Sequence, residues 1–178
     1  MDWEPDFRRA RRGPLLSPEE RPNGLSVGRE RLHDILPHRD PLLLLDAITG
    51  VDLDSGHIVG VRRLDPADPV FEGHFPIFPV YPASLQLEMA GQLALCLHHF
   101  LSRGTVEPDG PQAASPPAAP IVVTGVLRAS FIAPVKPGAT ATVLARMLYL
   151  DELLGAALVQ TLCDERVCSA AVLEVAFP

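Results

Sequence analysis

The stretch from 83 to about 100 limits what this chain can fold into more than any other. Apart from Gly91 it contains neither Gly nor Pro, and Leu85, Leu87, Met89, Ala90, Leu93, Ala94, Leu95, Cys96 and Leu97 recur on every side of a helical period. A helix that is apolar nearly all round must be buried, so the rest of the chain has to cover it. Immediately before it stand Pro76, Pro79 and Pro82. Proline fixes φ and donates no ladder hydrogen bond, so residues 73–82 are expected to form a rigid irregular loop.

The polar exceptions on this helix carry the chemical information, because burying a polar group is costly unless it has a partner or a task. Ser84, Glu88 and Gln92 follow at i, i+4 and i+8 and share one narrow stripe, whereas Gln86 points elsewhere. A carboxylate placed like Glu88 has two readings: it pairs with a structural donor, or it works as an acid or base. His74 lies in the proline-fixed loop just ahead of the helix and brings the second reading forward, since imidazole is suited to moving protons near neutral pH.

Gly73-His74-Phe75-Pro76, then Pro79-Val80 and Pro82, then Glu88 and Gln92, resemble the active-site segment of the (3R)-hydroxyacyl-[acyl carrier protein] dehydratases, a hot-dog fold family. Leu36-Pro37-His38-Arg39-Asp40-Pro41-Leu42-Leu43-Leu44-Leu45-Asp46 is similar to that family's other signature. Two separated motifs in the right order are a specific match. The resemblance covers roughly residues 32–178 and leaves the N-terminal stretch unexplained. It implies an α+β hot-dog fold, an antiparallel sheet wrapped around one long buried helix at about 83–100.

It also implies a reaction, loss of water from a 3-hydroxyacyl thioester held on an acyl carrier protein to give the trans-2-enoyl thioester. His74 would be the base, its other ring nitrogen held by the carbonyl of Val80, and Glu88 would protonate or orient the departing hydroxyl. The amide of Ala83, at the positive end of the helix, would polarise the thioester carbonyl, and Gln92 would steady Glu88. No metal and no organic cofactor is implied. In the family the histidine of one subunit meets the carboxylate of its partner, so a homodimer with shared active sites is expected, with a heterodimer or higher oligomer as the other arrangement. The all-round apolar helix supplies a physical reason, because a single sheet covers only one side of it.

Departures from the pattern define the remaining expectations. Ala83 stands where the family usually has Gly; Phe78 and Tyr81 are bulkier than usual and are expected to shape the substrate tunnel. Ser130-Phe131-Ile132-Ala133-Pro134 lacks the basic residues often found there. These substitutions hint at a specialised pathway such as polyketide or polyene assembly. Two alternatives remain, a hot-dog acyl thioesterase and a non-catalytic hot-dog partner subunit of a heteromeric dehydratase. Retention of both His74 and Glu88 argues against each.

Composition sets the outer bounds. At 178 residues, 47% hydrophobic and 21% charged, the chain is long enough for one domain with a real core. Its formal net charge of −7 leaves no basic face for nucleic acid, and an acidic carrier protein would need a local basic patch. Cys96, Cys163 and Cys168 lie in apolar contexts without metal-type spacing, which reads as reduced thiols in the cytoplasm. His33, His38 and His57 are scattered and suggest no metal site. No run approaches the roughly 18 apolar residues of a membrane span, and Arg8, Arg9, Arg11 and Arg12 precede a stretch too short and polar for a signal peptide.

Taken in order, residues 1–25 read as a flexible N-terminal arm and 26–178 as the hot-dog domain. A short helix is expected over 27–36, ending before Pro37, followed by buried strands at 42–51 and from 56. The proline-rich segment at about 104–120 reads as an exposed insertion. Beyond it, runs at 121–132, 139–150, 153–163 and 167–177 are expected as four strands of an antiparallel meander.

Overall fold

Runs of Val, Ala and Leu separated by short polar turns build one antiparallel sheet in the computed structural model, which describes residues 2–107 and 122–176. Its strands are β1 (Val27–Gly28), β2 (Ala47–Asp52), β3 (His57–Arg63), β4 (Val122–Phe131), β5 (Thr140–Leu150), β6 (Leu154–Cys163) and β7 (Arg166–Ala176). They are ordered β1-β2-β3-β5-β6-β7-β4. Helix α1 is Glu4–Ala10, α2 Arg29–Ile35, α3 Pro69–Gly73 and α4 Ala83–Arg103. The expected helix is therefore present and runs one turn further, to the left-handed Gly104 (φ 66°), which closes its C-terminus.

Along β6 and β7 alternate residues serve two different faces, as a pleat of period two requires. Ala157, Val159, Ala171 and Leu173 join Met89, Leu93 and Leu97 of α4 in the main core. Leu158, Ala170 and Val172 instead bury Phe7 and Ala10 of α1 on the opposite side. Helix α4 lies against β3, β5, β6 and β7, and small residues set how closely. A Cβ at Gly60 would come within 2.8 Å of a Leu93 methyl, so β3 approaches α4 as nearly as glycine allows.

Three expectations need correction. The last four strands are not a continuous meander: β5-β6-β7 is one, but β4 pairs with β7 at the far edge. The two-residue turn at Asp164-Glu165, both at positive φ, reverses the chain tightly, whereas residues 132–139 are long enough to carry it across the sheet. Leu43, Leu44 and Leu45 are buried without being a strand, Leu42 is exposed, and pairing in β2 begins only at Ala47.

The N-terminal stretch, expected as a flexible arm, is packed. Trp3, Phe7 and Ala10 form the apolar side of a short helix whose period is obscured by the intervening charges. Its irregular continuation is satisfied by the fully buried Gln160, which donates to Ala10 O (2.5 Å) and Gly13 O (2.9 Å) and accepts from Leu15 N (2.9 Å). Further on, the backbone at Pro22 lies against Gly50 so closely that a Cβ there would overlap it, at 1.8 Å from Pro22 O. Most of the proline-rich insertion, 108–121, lies outside the described residues. Among the described residues no helix is long and apolar enough to cross a membrane.

Candidate active site

The loop ahead of α4 is shaped by a few hydrogen bonds. Asp68 caps α3 by accepting from Val70 N (3.0 Å), with Pro69 at the first helical position. From there His74 and Val80 close the loop on itself: Val80 N donates to His74 O (3.1 Å), and the Nδ1 of His74 lies 3.0 Å from Val80 O. A carbonyl oxygen only accepts, so Nδ1 carries the proton and the neutral ring keeps its lone pair on Nε2. The half-buried ring stacks on Phe75, centroids 4.0 Å apart.

Tyr81 fastens the loop from below. Its N–H donates to Val135 O (2.8 Å), and its ring is 2% exposed among Leu64, Phe71, Ala133, Val135 and Cys168. Burial pushes its hydroxyl up to about 12. In this chain Tyr81 therefore packs the base of the loop rather than facing an open channel. Phe78, the other expected tunnel residue, is 59% exposed, beside Phe75 at 52% and Ile77 at 99%.

Helix α4 begins at Ala83 after Pro82, which has no side-chain acceptor to cap the first turn; the first backbone donor to find a helical partner is Gln86 N, to Pro82 O (3.0 Å). The amides of the opening turn, Ala83 first, thus remain for a ligand at the positive helix end.

One turn on, Glu88 is embedded in a side-chain network. Gln92 accepts from Leu44 N (2.9 Å) through Oε1, and through Nε2 donates to Leu42 O (2.7 Å) and to Glu88 Oε1 (2.8 Å). The backbone donor and acceptor together fix which way the amide of Gln92 faces, since flipping it would set like against like. The same bonds serve the backbone of residues 42–45, which lie in no strand, whereas Asp46 N already donates to Val61 O of β3 (2.9 Å). Arg29 completes that task by donating to Leu43 O (2.7 Å) and Leu45 O (3.1 Å). His38, at the start of this segment, places its Nε2 3.1 Å from Glu88 Oε1.

The structure thus brings together Glu88 and Gln92 as expected, and His74 with Val80. It does not bring His74 to Glu88 within one chain: the partners of Glu88 are His38 and Gln92, and those of His74 are Val80 and Phe75. In the sequence His38 is one of three scattered histidines, and its place in the motif at 36–46 is the signal that marks it. Among the described residues no group of three His, Cys, Asp or Glu is arranged to hold a metal ion.

Between α4 and the sheet lies a narrow apolar recess of about 10 Å³, lined by Gly91, Ala94, Leu95, Val123, Ala157 and Leu173 among others. At the end of the strand order β4 pairs with β7 alone among the described residues, and it carries half-exposed Val123, Val126, Leu127 and Phe131.

The FabA-like domain matches residues 36–169. Among curated proteins, the 3-hydroxyacyl-[acyl-carrier-protein] dehydratase FabZ of a Methylobacterium species is 36% identical over 104 residues, 57% of this chain and 61% of that protein. FabZ of Chlamydia trachomatis serovar L2 is 30% identical over 141 residues, 79% of this chain and 86% of its own length. The chain thus spans about three fifths of the first relative and most of the second. Among solved structures, the dehydratase heterocomplex ApeI:P from Xenorhabdus doucetiae aligns with a TM-score of 0.61 at 18% identity, covering 83% of this chain and 90% of that one. That likeness shows the fold.

Proposed function

The chain belongs to the FabA-like domain family, and from that premise we propose that it removes water from a 3-hydroxyacyl thioester on an acyl carrier protein, leaving the trans-2-enoyl thioester. The two FabZ relatives carry this activity in their names. The observation that carries the reading here is a pair of complementary half-sites. His74 is held through Nδ1 with Nε2 left as a base, and Glu88 is held through one oxygen on a helix whose first-turn amides are uncapped.

In this reading Nε2 of His74 takes the proton from C2, and that C–H electron pair becomes the second bond between C2 and C3. The C3–O bond breaks, and the hydroxyl leaves as water with a proton from Glu88. The Ala83 amide stabilises charge gathering on the thioester oxygen. The cycle closes when the proton on His74 returns to Glu88. In this reading the acyl chain runs along α4 toward the narrow recess at Gly91, and Phe78, exposed on the loop that carries His74, shapes its entrance. Free Cys96, Cys163 and Cys168 fit a reducing compartment, the cytoplasm.

We assign His74 and Glu88 of one site to two different chains. The apolar, unpaired edge of β4 and the exposed Phe75, Ile77 and Phe78 support association with a second copy, since such an edge invites another strand. A related but different subunit on the same edge is the other outcome, and the departures around the motif fit a specialised acyl substrate. The test is mass spectrometry of 3-hydroxyacyl carriers of several lengths after incubation with wild type, with His74→Ala, with Glu88→Gln, and with the two variants co-expressed. Wild type converts the substrate and each variant alone does not. Mixed dimers regain part of the activity, because one of their two sites is intact. Mixed dimers that form but stay inactive would put both residues in the same chain, and an inactive wild type would remove the dehydratase reading.

A further inference from the structure

We propose that His38 is a positioning residue that, together with Gln92, assigns separate duties to the two oxygens of Glu88. The inference rests on the dehydratase reading above and deepens it. His38 Nε2 at 3.1 Å and Gln92 Nε2 at 2.8 Å converge on the same atom, Oε1. Gln92 presents an N–H there because Leu42 O and Leu44 N fix its amide. His38 presents one as well. Its Nδ1 is buried with no partner among the described residues, and a bare ring nitrogen is less costly to bury unpaired than an N–H, so the neutral ring carries its proton on Nε2.

An oxygen that already accepts two N–H donors cannot be the hydroxyl oxygen of a carboxylic acid. When Glu88 is protonated, the proton therefore sits on Oε2. The side chain of Glu88 is 41% exposed and that of His38 23%, so the carboxyl is open to a ligand while its donors are more deeply set. After Oε2 has given its proton to the departing hydroxyl, the same two N–H groups stabilise the carboxylate without any group having to move. His38 itself is held by its loop: Arg39 donates to Leu36 O (2.9 Å) and His38 O (2.8 Å), and Leu42 N and Leu43 N both donate to Arg39 O.

The test separates donation from shape. His38→Phe fills the ring's volume without a donor, and His38→Gln returns an amide N–H at the reach of Nε2. The phenylalanine variant should lose about 10- to 100-fold in kcat with little change in KM, the range expected for one hydrogen bond to a charged group. The glutamine variant should recover most of that loss. His38→Leu replaces His38→Phe if the latter fails to fold. Wild-type kcat in a folded apolar variant, or a glutamine variant no better than phenylalanine, would overturn the proposal. A second readout is independent of turnover. Nitrogen-15 NMR of the His38 ring should show the Nε2–H tautomer, with its signals moved by Glu88→Ala. A ring protonated on Nδ1 instead would sink the contact even if dehydration is confirmed. An Nε2–H ring in an enzyme that dehydrates nothing would preserve the contact while refuting the activity.

Discussion

Glu88 and His74 are held in opposite ways. Glu88 stands on a helix, its carboxyl fixed by Gln92 and His38, and these in turn are tied to a buried segment whose leucines are at most 4% exposed over 43–45. His74 is held by a single backbone carbonyl in a loop that exposes Phe75, Ile77 and Phe78 to solvent. One half of the chemistry is finished inside the chain, with hydrogen bonds that no partner is needed to complete. The other half faces outward on a loop tied to Val135 through Tyr81. In the shared-site proposal a second chain completes the histidine side and leaves the glutamate side as folded.

The largest expected effect comes from removing either half. His74→Ala and Glu88→Gln should each lower the dehydration rate by about 10²–10⁴, with circular dichroism unchanged. Near-normal turnover in either folded variant removes that residue from the mechanism. The outward half can then be broken without touching the histidine. Lys at Val126, 49% exposed on β4, should weaken association about tenfold or more by sedimentation and lower activity at dilute protein while sparing thermal stability. An unchanged association state would show that β4 is not the edge used.

For the finished half the relation reverses. Gln92→Leu orphans Leu42 O and Leu44 N, so it should cost about 1–3 kcal/mol of stability for each group left unpaired, visible as a lower Tm, and slow turnover less than Glu88→Gln does. A variant with intact Tm would mean that residues 42–46 find other partners. The smallest effect is one of selectivity. A Cβ at Gly91 would meet only a Leu173 methyl at an ordinary 3.7 Å, so Gly91→Ala should fold and narrow the recess between α4 and the sheet. Preference should move to shorter acyl chains by about tenfold. An unaltered chain-length profile would separate the recess from the acyl path.

Much of this was readable from residue order. Helix α4 announces itself by apolar residues on every side, the loop by its prolines, and the stripe of Glu88 and Gln92 by spacing, because each of these signals lies within one local element. The strands β5, β6 and β7 likewise follow from period and turn chemistry. What could not be read depended on contacts between distant segments. Residues 42–45 look like a strand because they are apolar, but their backbone is bonded by side chains of Gln92 and Arg29, and no local pattern encodes such a partner. The arm at 1–25 looks unstructured because charges interrupt its period, and it settles through Gln160, the outer face of the sheet and distant ion pairs such as Arg146–Asp6 and Arg21–Glu165. The sequence by itself determined the buried helix, the loop that carries His74 and the polar pair on α4. The tertiary structure decided that β4 leaves the meander for the free edge, that His38 reaches Glu88, and that His74 does not. Those outcomes turn on which surfaces are left uncovered once the sheet has closed on the helix, a property of the whole packing and of no single stretch.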